Sequence, residues 1–314
     1  MFEQILQMIR QYPRIIIHRH TRPDGDALGS QFGLRQLLRA TYPEKEVYAV
    51  GDMTDRYAFM LGELTMDDVP DDAYHGALAF VLDTSAKSLI SDDRYTTADA
   101  TARIDHHIFV EQIADAEVTD TSYESCCGLI TALAIEGELT VPAEAARLLY
   151  IGMVTDSGRF RYDSTNAQTF RMASFLMERE FDTNEIYRQL YADDLSRVQL
   201  RAQFVLKIQT APGRVAYIYT TREEVEASGT DTFSISRGMV SVMSDIRGID
   251  TWVNFTETED GVLCELRSSV YNINPIATKY GGGGHAKASG ATVKDREEAM
   301  RMLADLCTLS EEQA

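Results

Sequence analysis

Several shortages narrow the field before any motif is considered. No stretch of the chain approaches the roughly 20 consecutive apolar residues that a membrane-spanning helix needs, so no membrane partner is expected. The four cysteines (Cys126, Cys127, Cys264 and Cys307) show neither zinc-ribbon nor C-x-x-C spacing, which excludes a thiolate zinc site or a dithiol redox centre and leaves them as reduced packing residues. Basic side chains are scarce: thirty Lys and Arg stand against forty-nine Asp and Glu, for a net charge of −19. That balance opposes long-range attraction to long duplex DNA or any nucleic-acid polymer, so a nucleotide ligand is expected to be small. Divalent ions can still reverse the local sign inside an acidic cleft. Fixed-period repeats and low-complexity tracts are missing, and only Ser310 to Ala314 reads as a disordered tail. The opening MFEQILQMIRQYPRIII carries acids and lacks the basic, apolar and small-residue sections of a secretory signal, which sets the expectation of a cytoplasmic protein.

Histidine is also rare, and its placement is informative. Of six histidines, His20, His106, His107 and His285 fall in segments dense in acids or glycine. His18 lies within an apolar run and reads as a packed histidine; His75 lies in an acidic stretch and reads as solvated.

At 314 residues, with 44% hydrophobic and 25% charged content, the chain suits two soluble domains of ordinary size. The first part alternates short β-branched runs with helical patterns. Arg14–His18 reads as a strand, followed by a Pro-Asp-Gly-Asp loop and a helix over Leu28–Leu38. Further strands are expected at Glu46–Val50, Ala77–Leu82 ending at Asp83, and Ala102–Ile104 ending at Asp105. Apolar strands with acids at their carboxyl ends predict an α/β fold with a parallel sheet, whose ligands gather outside those ends. Helices are expected over Ser122–Ala134, Pro142–Val154, Asn166–Glu178 and Thr183–Ile208. The boundary is placed near Leu190, with 1–189 as the first domain, 190–211 as a helical linker, and 212–314 as a smaller α+β domain closed by a helix over Arg296–Leu306.

His20, Asp24 and Asp26 offer an imidazole and two carboxylates on one tight loop, a donor set suited to manganese or another borderline divalent ion. The alternative is a solvated turn in which Asp26 caps the next helix. Asp83 alone could form an Asx turn with Thr84 or Ser85, and Asp156 could cap a helix beginning near Thr165. The run Asp105-His106-His107 favours a site, because adjacent histidines at a strand end have no common packing role. Pooled, these residues give His20, Asp24 and Asp83 for one ion, and Asp26, Asp83, His106 and Asp156 for a second, with Asp83 bridging. Two ions about 3.5–4 Å apart suit in-line displacement at phosphorus, so hydrolysis of a phosphate ester is expected. The glycines 281–284 before His285 could be merely flexible, or could let backbone amides approach an anion. Arg267 reads as a surface cation or, with a modest preference, a planar phosphate clamp.

The motifs HTRPDGDALGS, the strand-end Asp83, IDHH, VTDSGRF and GGGGHAKASG occur in that order over nearly the whole chain. Together they resemble the DHH phosphoesterase superfamily with its type-1 associated domain, and the length resembles the stand-alone nanoRNase branch, oligoribonuclease and pAp phosphatase. The usual TDTG reads TDSG here, a change at Ser157 that leaves Asp156 in place. The resemblance implies an amino-terminal parallel-sheet domain holding two manganese ions, a carboxyl-terminal substrate domain, an active-site cleft between them, and a homodimer. It also implies that His107 contacts the scissile phosphate, that Asp105 orients its neighbours, and that Arg267, Ser268, Gly284 and His285 hold a terminal phosphate or base. The implied substrates are oligonucleotides of two to a few residues, linear dinucleotides from cyclic dinucleotide turnover, and pAp. The alternatives are a RecJ-like single-strand exonuclease and a non-catalytic nucleotide sensor; the inorganic pyrophosphatases share the early motifs but not the glycine run before His285.

Overall fold

The structure, a computed structural model, describes residues 1–313 and divides into two compact units, Met1–Ala192 and a second beginning at Asp193. In the first unit the chain runs α1 (Glu3–Gln11), β1 (Arg14–His18), α2 (Gly25–Thr41), β2 (Glu46–Ala49), α3 (Ala58–Leu61), β3 (Ala77–Leu82), β4 (Ala100–Asp105), β5 (Ala116–Thr119), α4 (Cys126–Glu136), α5 (Ala143–Asp156), α6 (Ala167–Met177) and α7 (Thr183–Tyr191). The five strands form one parallel sheet in the order β2-β1-β3-β4-β5. Every residue of β3 is buried, as a strand covered on both faces requires. Because β1 lies between β2 and β3, the strand order reverses there, and the carboxyl ends of β1 and β3 form the switch point at which such sheets bind ligands. β5 carries no signal in the sequence, because its four residues, AEVT, are too few to show a period.

Close approach of α2 and α5 sets the depth of this crevice. Gly25, Gly29 and Gly33 stand four residues apart, on one face of α2. A Cβ at Gly29 would lie 2.7 Å from the Leu148 carbonyl oxygen and 2.9 Å from Cys127 Sγ, and one at Gly25 would lie 2.4 Å from Thr155 Oγ1. Only hydrogen fits there. The contact brings the start of α2 against the end of α5, and therefore Asp26 towards Asp156.

The expected helix over Thr183–Ile208 is two helices broken at Ala192–Asp194, where the backbone turns extended. Residues 193–211, expected as part of a linker, belong instead to the second unit. That unit runs α8 (Leu195–Leu206), β6 (Gln209–Ala211), β7 (Val215–Thr220), α9 (Arg222–Ser228), α10 (Thr232–Met239), β8 (Thr251–Glu257), β9 (Val262–Ser268), α11 (Asn274–Lys279), β10 (Gly283–His285), β11 (Ala288–Val293) and α12 (Arg296–Gln313). Its six strands are ordered β10-β11-β9-β8-β7-β6, and Phe204 of α8 is buried with Ile218, Ile235 and Trp252.

Two expectations are corrected here. The glycine run is not simply a loop: Gly283–His285 is an edge strand paired antiparallel with Ala288–Gly290. The tail from Ser310, read as disordered, continues α12 to Gln313; Ser310 is buried with its hydroxyl 3.4 Å from Thr251 Oγ1, and Ala314 lies outside the described residues. Among the described residues no helix is long and apolar enough to cross a membrane.

Candidate metal centre

Each acid or histidine of the centre is delivered by the end of a regular element. His20 follows β1, Asp83 follows β3, Asp105 ends β4 with His106 and His107 after it, Asp24 and Asp26 begin α2, and Asp156 ends α5. His20 Nε2 lies 3.4 Å from Asp83 Oδ2 and 3.9 Å from Asp24 Oδ1. His106 Nε2 lies 3.5 Å from Asp83 Oδ1, 3.4 Å from Asp156 Oδ2 and 3.8 Å from Asp26 Oδ2. Nitrogen and oxygen donors bound at about 2.0–2.2 Å to one ion stand roughly 3–4 Å apart, so each group has the spacing of a metal site. Asp83 contributes a different oxygen to each.

The supporting contacts orient these donors. His20 Nδ1 donates to the Thr21 carbonyl at 2.8 Å, which turns Nε2 towards the acids as the nitrogen available to a metal once its proton is lost. Asp24, not Asp26, caps α2, accepting from the amides of Asp26 and Ala27. Asp26 turns away to accept from the amides of Cys126 and Cys127, at 2.7 and 2.9 Å, where the positive end of α4 meets it. Asp83 forms no Asx turn: its backbone is left-handed (φ 49°), and its buried Oδ1 has no hydrogen-bond partner. A buried carboxylate oxygen without a hydrogen-bond partner is costly, and a bound cation would satisfy it. Asp156 closes α5 rather than capping the following helix, which Asn166 caps.

Electrostatics agree with the donor chemistry. Burial pushes Asp26 well above the usual carboxylate range, with the charges of Asp83 and Asp156 adding to it, and burial with the neighbouring acids raises Asp156 to about 7. Burial would also raise Asp83, but His106 and His20 outweigh it and hold the group well below its ordinary value. Burial lowers both imidazoles, yet Asp83 and the other carboxylates raise His20 to about 9 and His106 to about 10. The pocket concentrates negative charge that protons only partly offset, and divalent ions fit the residues present.

Beside the cluster, Asp105 Oδ1 accepts from His107 Nδ1 at 2.7 Å, while Asp105 Oδ2 is 2.5 Å from the buried guanidinium of Arg103. Arg103 therefore fixes Asp105, and Asp105 fixes the His107 ring with its Nε2 directed elsewhere. His107 is half exposed, as is Asp24, while His20, Asp26, Asp83 and His106 are far more enclosed.

With this geometry in place, comparison with known proteins is decisive. Residues 14–153 match the DHH family, N-terminal domain, and residues 216–312 match the DHHA1 domain. The chain is 37% identical over 312 residues to the bifunctional oligoribonuclease and PAP phosphatase NrnA of Bacillus subtilis, covering 98% of each chain. The chain belongs to the DHH family. The protein of that same name from Mycoplasma genitalium is 32% identical, with 96% of this chain and 95% of that one covered. An exopolyphosphatase-related protein from Bacteroides fragilis shares the fold, with a TM-score of 0.83 at 24% identity and coverage of 98% and 95%. The protein is accordingly a phosphoesterase of the metal-dependent DHH type.

In the DHHA1 unit, the remaining residues named from sequence lie close together on one sheet. Arg267, on β9, pairs with Ala288 on β11, and His285, on β10, pairs with the same Ala288. Arg267 Nη1 lies 3.2 Å from Glu265 Oε2, and Arg237 Nε, unforeseen from sequence, lies 3.0 Å from the other Glu265 oxygen. Gly284 has φ 133° and no room for a Cβ, which would lie 2.6 Å from the Ala288 carbonyl oxygen. Ser268 differs: its hydroxyl donates to the Asp250 carbonyl and accepts from the amides of Val270 and Tyr271, so it builds the turn after β9.

Sequence reasoning missed the backbone of Cys126 and Cys127, which holds Asp26, and the layer behind it. Ser125 caps α4 by accepting from the Gly128 amide at 2.9 Å, and donates to Glu124, which also accepts from Thr169. A Ser followed by a small-residue helix start was the available signal.

Proposed function

We propose that the protein is a manganese-dependent phosphodiesterase that releases mononucleotides from oligonucleotides of two to a few residues, such as pApA and pGpG, and removes the 3′-phosphate of pAp. The observation that carries this reading is the division of Asp83, whose two oxygens face His20 on one side and His106 on the other. His20, Asp24 and Asp83 would hold one ion; Asp26, Asp83, His106 and Asp156 would hold the second. Bound there, the ions would supply Lewis acidity and neutralise charge on a phosphoryl group. A mixed nitrogen and oxygen donor set without thiolate suits manganese.

The chain's own residues do the rest. His107, with Nδ1 committed to Asp105, presents Nε2 to the phosphoryl oxygens, and Arg103 keeps that orientation from behind. Arg267 and His285 hold the terminal phosphate or base, assisted by the outward amides of the edge strand carrying Gly284; Ser268 acts by shaping the adjacent turn. The activities for which the Bacillus and Mycoplasma relatives are named support this substrate class, and the net charge of −19 supports small substrates over polymers.

The test is hydrolysis of pAp, pApA, pGpG, a five-residue RNA and a long single strand, with manganese and with chelator. Chelator-sensitive cleavage confined to the short substrates is expected. Preference for the long strand would establish an exonuclease instead, and inactivity throughout would overturn the reading.

A further inference from the structure

We infer that Arg159 and Tyr191 form a seat beside the metal centre for the aromatic base of a nucleotide whose phosphate the centre holds. The inference deepens the phosphodiesterase reading and rests on it for the nature of the ligand.

The first observation is conformational. Gly158, Arg159 and Phe160, directly after Asp156 and Ser157, are three successive residues in left-handed backbone, with φ of 57°, 65° and 61°. Glycine adopts this freely, but arginine and phenylalanine do so only under compulsion, and such compulsion gathers at ligand sites. The turn is fully tied. The Arg159 amide donates to the Val154 carbonyl at 2.8 Å, Phe160 to Ser157 Oγ at 2.9 Å, and Arg161 and Tyr162 both to the Ser157 carbonyl at 3.0 Å.

The second observation is where this turn sends its side chains. Phe160 goes inward against Tyr150 and Phe170. Arg159 goes outward, its guanidinium 4.0 Å from the centroid of the Tyr191 ring. Tyr191 stacks in turn on Tyr187 at 5.9 Å. Tyr162, 61% exposed, covers Gly158, where a Cβ would lie 2.4 Å from its ring.

The third observation ties the array to the centre. Arg159 stands three residues after Asp156, in the turn that closes α5, and its amide is tied back to the Val154 carbonyl of that helix, so the array adjoins the donors at the end of α5. A planar cation on an aromatic face, next to donors that would hold a phosphate, is the chemistry by which proteins stack a base without reading its sequence.

The experiment is titration of the manganese-loaded, full-length protein with 2-aminopurine riboside 5′-monophosphate, which cannot be cleaved as a phosphodiester, followed by base fluorescence. Ribose 5-phosphate serves as a baseless competitor. Quenching is expected, with binding about tenfold tighter than ribose 5-phosphate. Arg159→Ala and Tyr191→Leu should lose the quenching and that margin while binding ribose 5-phosphate as before; Tyr191→Phe should keep both. Absence of quenching in the unaltered protein, quenching retained in both variants, or equal loss for the two ligands would overturn the seat. Hydrolysis of pApA by the unaltered protein, measured in parallel, judges the phosphodiesterase reading separately.

Discussion

The carboxylate of Asp26 is gripped by the backbone amide of Cys126 at 2.7 Å, across 100 residues of chain. One helix start thereby aims a donor that belongs to another helix. The link runs through Ser125, whose hydroxyl fixes the first turn of α4.

Ser125→Ala should therefore do two things. Loss of the cap should lower stability by about 1 kcal/mol, and the loosened amides should weaken manganese binding by about tenfold, as for other residues that orient metal ligands. Denaturant midpoints in chelator and calorimetric manganese titration read the two effects. Unchanged affinity would detach α4 from the centre.

Asp83→Ala should abolish turnover, by a factor of about 1,000 or more, and weaken manganese binding while circular dichroism stays that of the unaltered protein. Retained activity would sink the bridging assignment.

Metal uptake should expel protons. With His20 raised to about 9 and His106 to about 10, both imidazoles carry protons at neutral pH in the metal-free protein, and a metal takes only the neutral ring. Manganese affinity should rise with pH from 6 upwards. Calorimetry at one pH in buffers of different ionisation enthalpy should show net release; a buffer-independent heat would refute it.

His18 sets a second pH dependence, on stability. Burial lowers it to about 4 despite the pull of Asp92, whereas the unfolded chain titrates near 6.5. Between those values the unfolded state binds more protons, so stability falls as pH drops through 6.5 and this contribution levels off below 4. His18→Phe, which keeps a ring between Tyr74 and Tyr95, should flatten that segment of the curve of midpoint against pH. Parallel curves would contradict it.

Gly29→Ala should destabilise by about 1–3 kcal/mol, since the added methyl meets the Leu148 carbonyl of α5 rather than a movable side-chain tip. Thermal melts with chelator present isolate this effect from metal binding.

These cases show what was legible in the chain. His20, Asp83 and His106 could be read because each follows a strand whose apolar run announces its own end, and Asp24 because it shares a tight loop with His20. Asp26 was read as a potential cap and Asp24 was not, because both acids precede the same helix and only backbone geometry chooses between them. The clamp by Cys126 and Cys127 was illegible in principle, since any non-proline residue has an amide. Glycines 25, 29 and 33 looked like weak helix formers until α5 was seen against them. The strand at Gly283–His285 defeated propensity because its pairing with Ala288–Gly290, not its composition, makes it a strand. Ser310 defeated it likewise: a polar residue near the end reads as fraying, and only Thr251 explains its burial.

The left-handed backbone of Asp83 carries a different implication. A buried acid held at φ 49° among other carboxylates costs the fold stability, a cost that the metal-bridging role proposed for Asp83 would explain. Glycine or asparagine would rest there more easily, so a copy of the gene released from selection for activity should drift at this codon towards greater heat tolerance. The most crippling change for the enzyme would then be among the mildest for the chain, and a screen for thermostable variants would enrich for dead ones unless turnover were scored alongside.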